Sequence, residues 1–154
     1  MRVGTRGVVR NCLLVLVVTV PLTGGSAQEQ SDVNAEDGVA IKGYDSVAYF
    51  TDGRAMEGKS EFEYKWDDVH WRFANATHRD EFAADPERYA PQYGGFCAGG
   101  MYFGEAIAAD PTAWKIVDGK LYLFSKPAFV DGWSKDAASR IQAADENWRK
   151  FNQH

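Results

Sequence analysis

A small α+β domain is the fold class this sequence predicts, and three observations predict it. Two stretches, Glu61–Phe73 and Trp114–Phe124, alternate apolar and polar residues on either side of an acidic turn. That is the period-two signature of hairpins with one buried face. The C-terminal stretch instead repeats apolar residues at steps of three and four: Trp133, Ala137, Ile141, Ala144, Trp148 and Phe151. Such spacing lines one face of a helix. Together these predict an antiparallel sheet built from two hairpins, short helices beside it and one long C-terminal helix over a face.

The first 27 residues read as an export signal and not as part of the fold. Arg2, Arg6 and Arg10 make a basic start, and Cys12 to Leu22 an apolar core. Gly25 and Ala27 then supply the small residues of a cleavage site before Gln28. The run is shorter than the roughly 20 residues a membrane-spanning helix needs. A periplasmic or secreted location is therefore expected, with no stable membrane insertion. Residues 28–38 are polar and acidic and read as a flexible leader, with a single domain over 39–154.

The chain carries 17 basic and 22 acidic residues, and three of the basic ones belong to the predicted signal. The remaining acidic balance argues against nucleic acid or an anionic membrane surface as partner. All five tryptophans, seven tyrosines and nine phenylalanines fall after the signal, ample material for a core.

Along the domain, Asp45-Ser-Val-Ala-Tyr-Phe50 reads as an Asp-capped helical turn ended by Thr51-Asp-Gly53. Phe62, Tyr64 and Trp66 lead into Asp67-Asp68, and Val69, Trp71 and Phe73 lead out, giving the first hairpin. Asn75 is placed to cap a helix through about Ala84 with Phe82 facing inward. Asp85-Pro86 breaks it and opens another short turn. Asp110-Pro-Thr-Ala113 reads as a further helix start. Asp118-Gly119 marks a tight turn in the second hairpin. The terminal helix is expected to run from about Val130 to Phe151.

Cys97 is the only cysteine outside the predicted signal, so it has no intramolecular disulfide partner in an oxidising compartment. It lies in Tyr93-Gly-Gly-Phe-Cys-Ala-Gly-Gly-Met-Tyr-Phe-Gly104, with five glycines and four aromatics in twelve residues. Glycine disfavours helix interiors by about 1 kcal/mol each, so a loop is expected. As a thiolate, Cys97 with Met101 as thioether suits a soft cation such as Cu(I). As a small buried hydrophobe it needs no ligand at all. A reactive thiol with His78 as base is a third reading. His70 should face solvent by strand alternation, Met56 is a weak additional thioether, and His154 is terminal. Tyr44, Tyr49, Tyr93 and Tyr102 flank the unusual turns and are candidates to line a ligand pocket.

Two strings carry a family resemblance. Ile41-Lys-Gly-Tyr-Asp-Ser-Val-Ala-Tyr-Phe50 is one; the other runs from Trp71-Arg-Phe-Ala-Asn-Ala-Thr-His78 through Tyr93-Gly-Gly-Phe-Cys97. Together they resemble the exported branch of YHS-domain proteins over nearly all of residues 39–151. The resemblance implies a small α+β module linked with the handling of metals, copper especially. Metal-binding YHS modules place cysteines where this chain has Ala48, Ala74 and His78, so of those three positions only His78 can still coordinate. The expected function is accordingly an exported module that binds copper, for buffering or delivery, through Cys97, His78 and Met101. The alternative is a non-catalytic module for a small ligand or a periplasmic partner protein, with Cys97 structural.

Overall fold

The computed structural model describes residues 32–153. The predicted export signal, the first part of the predicted leader and His154 lie outside the described residues.

The class is α+β, with mixed sheets and a long C-terminal helix. Strands β1 (Ala35–Glu36) and β2 (Val39–Ala40) open the domain, followed by α1 (Ala48–Thr51). The first hairpin is β3 (Lys59–Trp66) and β4 (Val69–Phe73), turning at Asp67 and Asp68, both at positive φ. Helices α2 (Ala76–Ala84), α3 (Pro86–Tyr89) and α4 (Ala98–Tyr102) follow. The second hairpin is β5 (Asp110–Val117) and β6 (Lys120–Phe124), and α5 (Ala128–Ser134) and α6 (Ala137–Phe151) end the chain.

Four expectations are corrected. The two hairpins do not share one antiparallel sheet: β1-β2-β4-β3 form one sheet, with β2 parallel to β4, and β5-β6 form another. Part of the predicted leader is ordered, because Ala35 and Glu36 pair with Ala40 and Val39. Asp110 begins a strand and not a helix. Its side chain accepts from Thr112 N and Oγ1, an Asx turn inside a register shift between Asp110 and Trp114. A capping residue and a bulged strand start share that local chemistry. Finally, the terminal helix is two helices. Asp136 departs from helical geometry at φ −145° and separates α5 from α6.

Cores lie on both sides of the second hairpin. Leu121 and Leu123 join Ile41, Tyr49, Trp71, Phe73 and Phe82 in a first cluster. Tyr122 and Phe124, pointing the other way by strand alternation, join Tyr93, Cys97, Met101, Trp133 and Ala144 in a second. The predicted stripe on α6 is thus used: Ala144 is fully buried, and Ile141 and Trp148 pack beside it.

The glycine-rich segment is compressed more than a loop. A tight turn over Gln92–Gly95 precedes the five-residue α4, which contains Gly99 and Gly100. At Gly94, φ is +58° and a Cβ would collide with the carbonyl oxygen of Asp32. At Gly100 a Cβ would sit 2.8 Å from Glu105 O. Close backbone approach, more than loop flexibility, explains these two glycines.

Candidate functional site

His78 is placed by α2, whose N-cap Asn75 accepts from His78 N at 2.9 Å. Its ring is buried against Asp45, with Nδ1 donating to Asp45 Oδ2 at 2.6 Å. Asp45 is wholly buried and accepts three further bonds, from Val47 N, Ala48 N and Ala74 N at 2.9, 3.1 and 2.8 Å. One carboxylate therefore ties the start of α1, the end of β4 and the first turn of α2. Four donors on two oxygens are what a buried carboxylate needs to offset its lost hydration. Ala48, Ala74 and His78 thus all contact this one carboxylate. On the far side of the ring, Nε2 lies 3.3 Å from Thr51 Oγ1 and 3.4 Å from Asp52 Oδ2.

Cys97 is in a different environment. It is 1% exposed and caps α4, its sulfur accepting from Gly100 N at 3.4 Å and from Ser125 N at 3.1 Å. The thiol in turn faces Ser125 Oγ at 3.5 Å. Cys97 N donates to Ile107 O, so both chain and side chain are fixed. Met101 is fully buried in the same cluster. His78 shares no partner with Cys97, and the elements that hold His78 belong with the first cluster, across the second hairpin. The sulfurs and the imidazole are thus not brought together. Among the described residues, no three His, Cys, Asp or Glu side chains are grouped to hold a metal ion.

The four tyrosines likewise do not converge. Tyr49 is buried in the first cluster and its hydroxyl donates to Pro111 O at 2.7 Å. Burial pushes its phenol well above the ordinary range, helped by Tyr44 and Asp45. Tyr93 is buried in the second cluster and donates to Asp145 Oδ1 at 2.8 Å. Burial, then that bond, raises its phenol strongly. Tyr44 pairs with Glu57 in an isolated bridge. Tyr102 is exposed and packs edge-on against Phe103 and Trp133. His70 is exposed and pairs with Glu63 Oε1 at 2.6 Å. Burial lifts the Glu63 carboxyl, but bonds from Arg72 and His70 outweigh it and hold it below the ordinary value.

Near Tyr102 the surface opens into a cleft of about 340 Å³. Cys97, Gly100, Phe124 and Trp133 are its buried lining, while Phe103, Ile107 and Phe129 are exposed at 76, 40 and 49%. Gly132 of α5 and Arg140 of α6 also line it, and Arg140 is the only charged lining residue. Trp133 is 2% exposed, and its Nε1 has no hydrogen-bond partner among the described residues.

Trp133 was legible in the sequence as core, but Phe103, Ile107, Phe129 and Arg140 were missed. The signal available was weak. Phe103 and Ile107 lie between α4 and β5, outside any amphipathic period, and Phe129 lies in α5 just before the start expected for the terminal helix.

Compared with models of known families, with curated proteins and with solved structures, the chain finds no match.

Proposed function

We propose that this domain is a non-catalytic binding module that takes a small, largely apolar ligand in the cleft between α4 and α5, outside the cytoplasm. One observation carries the reading. Of the four large apolar side chains strongly exposed among the described residues, three line this cleft and the fourth, Tyr102, packs beside it. Exposed apolar residues concentrated on a concavity mark binding surfaces, whereas scattered ones need no explanation. The volume stands near the lower end of ligand pockets, roughly 300–1,000 Å³, so the ligand is small. The basic start and short apolar core of residues 1–22 support action in an exported setting.

A neutral apolar fluorophore such as N-phenylnaphthylamine tests the reading against the purified protein. Saturable binding is expected, and Gly132→Leu should abolish it. A Cβ at Gly132 meets no atom within 4 Å, so the new side chain enters open space. Helix propensity also favours leucine over glycine there, so the variant should keep its thermal midpoint. Unsaturable binding, or binding unchanged in Gly132→Leu, refutes the reading.

One observation favours metal binding as a second reading. Asp45 holds His78 Nδ1 and leaves Nε2 beside Asp52, the arrangement by which carboxylates orient imidazole ligands. Copper would then depend on His78 and Asp52 and not on Cys97 or Met101. Titration with Cu(II) should show uptake lost in His78→Ala and retained in Cys97→Ala; equal uptake in both variants removes this reading.

A further inference from the structure

We infer that the ligand of this cleft is a small amphiphilic carboxylate, its apolar body against Phe103, Ile107 and Phe129 and its carboxylate held by Arg140 and the Trp133 indole. The inference rests on the apolar-ligand reading and adds the polarity of the head group.

Three observations point the same way. First, the buried side-chain polar atom that the lining leaves unpaired is a donor. Trp133 Nε1–H is buried without a partner. A buried donor left unpaired costs about 1–3 kcal/mol, so the site is poorer empty than filled by an acceptor. Indole nitrogen cannot accept, which excludes a donor-only head group such as an ammonium as its partner. Second, Arg140 brings the only charge to the lining, and no Asp or Glu lines the cleft. Among the described residues no carboxylate forms an ion pair with Arg140; its guanidinium instead lies 6.0 Å from the centre of the Tyr102 ring. Third, the acceptors at the inner wall are already occupied. Cys97 Sγ receives two N–H bonds and Ser125 Oγ faces the thiol, so neither competes for the cation. An anion with two acceptor oxygens on a short hydrocarbon body meets all three conditions. A planar guanidinium matches a carboxylate with parallel bonds.

Calorimetric titration of the purified protein with octanoate, octanol and octyltrimethylammonium separates head group from body. Octanoate is expected to bind about tenfold or more tightly than octanol, the scale of a charged hydrogen bond, with the ammonium weakest. Arg140→Gln should erase the preference for octanoate while leaving octanol within about twofold, and Arg140→Lys should restore part of it. In nitrogen-correlated spectra, the indole N–H resonance that disappears in Trp133→Phe should shift on adding octanoate. Octanol binding as tightly as octanoate, with both blocked by Gly132→Leu, overturns the carboxylate inference and leaves the apolar-ligand reading standing. A preference for octanoate undiminished in Arg140→Gln also overturns it. Failure of both octanoate and octanol to bind overturns the two readings together.

Discussion

Asp45 and Trp133 are both almost wholly buried and both carry polar atoms, yet their surroundings differ in kind. Asp45 is wholly enclosed and receives four donors from three elements. Trp133 is packed against Phe124 and Tyr102, and its Nε1–H donates to nothing among the described residues. The first region is closed around its charge: the Asp45 carboxylate accepts four bonds, and the residues that give them are committed to holding α1, β4 and α2 together. The second is open, with unspent donors beside exposed apolar side chains and about 340 Å³ of space. Saturation separates structure from binding here better than residue type does, since histidine, aspartate and cysteine all fall largely on the saturated side.

The most damaging way to break that contrast is at Asp45. Asp45→Ala strips the acceptor from three backbone N–H groups and from the imidazole at once. The expected loss is about 3 kcal/mol or more of unfolding free energy, because a buried, bonded charge is removed and its donors are left unmatched. Denaturant unfolding measures it. Asp45→Asn should be milder, since the amide oxygen still accepts. A loss below about 1 kcal/mol in Asp45→Ala would mean that the node is not what fixes α1 to α2.

Cys97 sharpens the comparison because it belongs to both regions: it lines the cleft, yet its sulfur is bonded. Cys97→Ala should cost about 1–3 kcal/mol by orphaning Gly100 N and Ser125 N. Cys97→Ser, which keeps an acceptor on a shorter arm, should cost less. Equal losses would show that sulfur volume, and not its acceptor role, is what matters there.

How much of this was legible in the chain follows from which interactions are local. Asp45 as the cap of a helical turn and Asn75 as the cap of α2 were readable, because each bonds backbone within three residues. Asp118-Gly119 was readable as a tight turn, and both residues adopt positive φ. What the local pattern could not reveal was that Asp45 also reaches Ala74 and His78, 29 and 33 residues away. The same limit hid the separation of Cys97 from His78, which depends on Leu123 and Tyr122 facing opposite ways in one strand. The break at Asp136 was missed because the apolar stripe continues across it in phase, from Trp133 to Ala137, and a stripe records faces and not backbone continuity. Arg140 was unremarkable in sequence for the same reason: on a helix with polar outer positions, one arginine looks like any other.

The tyrosines test whether the two clusters unfold as one. Burial pushes Tyr122 up to about 12, helped by Asp145 and Asp118, and raises Tyr49 and Tyr93 further. A phenol whose folded value is raised favours the folded state while neutral. That contribution is complete below the ordinary value of 10.0 and is lost as pH rises through the folded value. Stability should therefore fall from about pH 10 upward, and tyrosinate absorbance should rise together with loss of near-ultraviolet dichroism. Tyr93→Phe removes the bond to Asp145 and should lower stability by about 1 kcal/mol at neutral pH. Two separate alkaline steps would show that the clusters on either side of the second hairpin open independently.

The smallest effect isolates the orphaned hydroxyl on the closed side. Ser46 is fully buried next to Asp45, and its Oγ has no partner among the described residues. Unlike Trp133, it lines neither the cleft nor the second cavity of about 310 Å³ beneath Trp148 and Trp66. The unpaired hydroxyl is a residual cost, and Ser46→Ala should be neutral or stabilising by up to about 1 kcal/mol. Trp133→Phe removes an unpaired donor too, but it also shrinks a buried core ring and should cost roughly 1–3 kcal/mol while weakening octanoate. That pair of variants separates the two orphans by function: only the one whose ring lines the cleft should change what the protein binds.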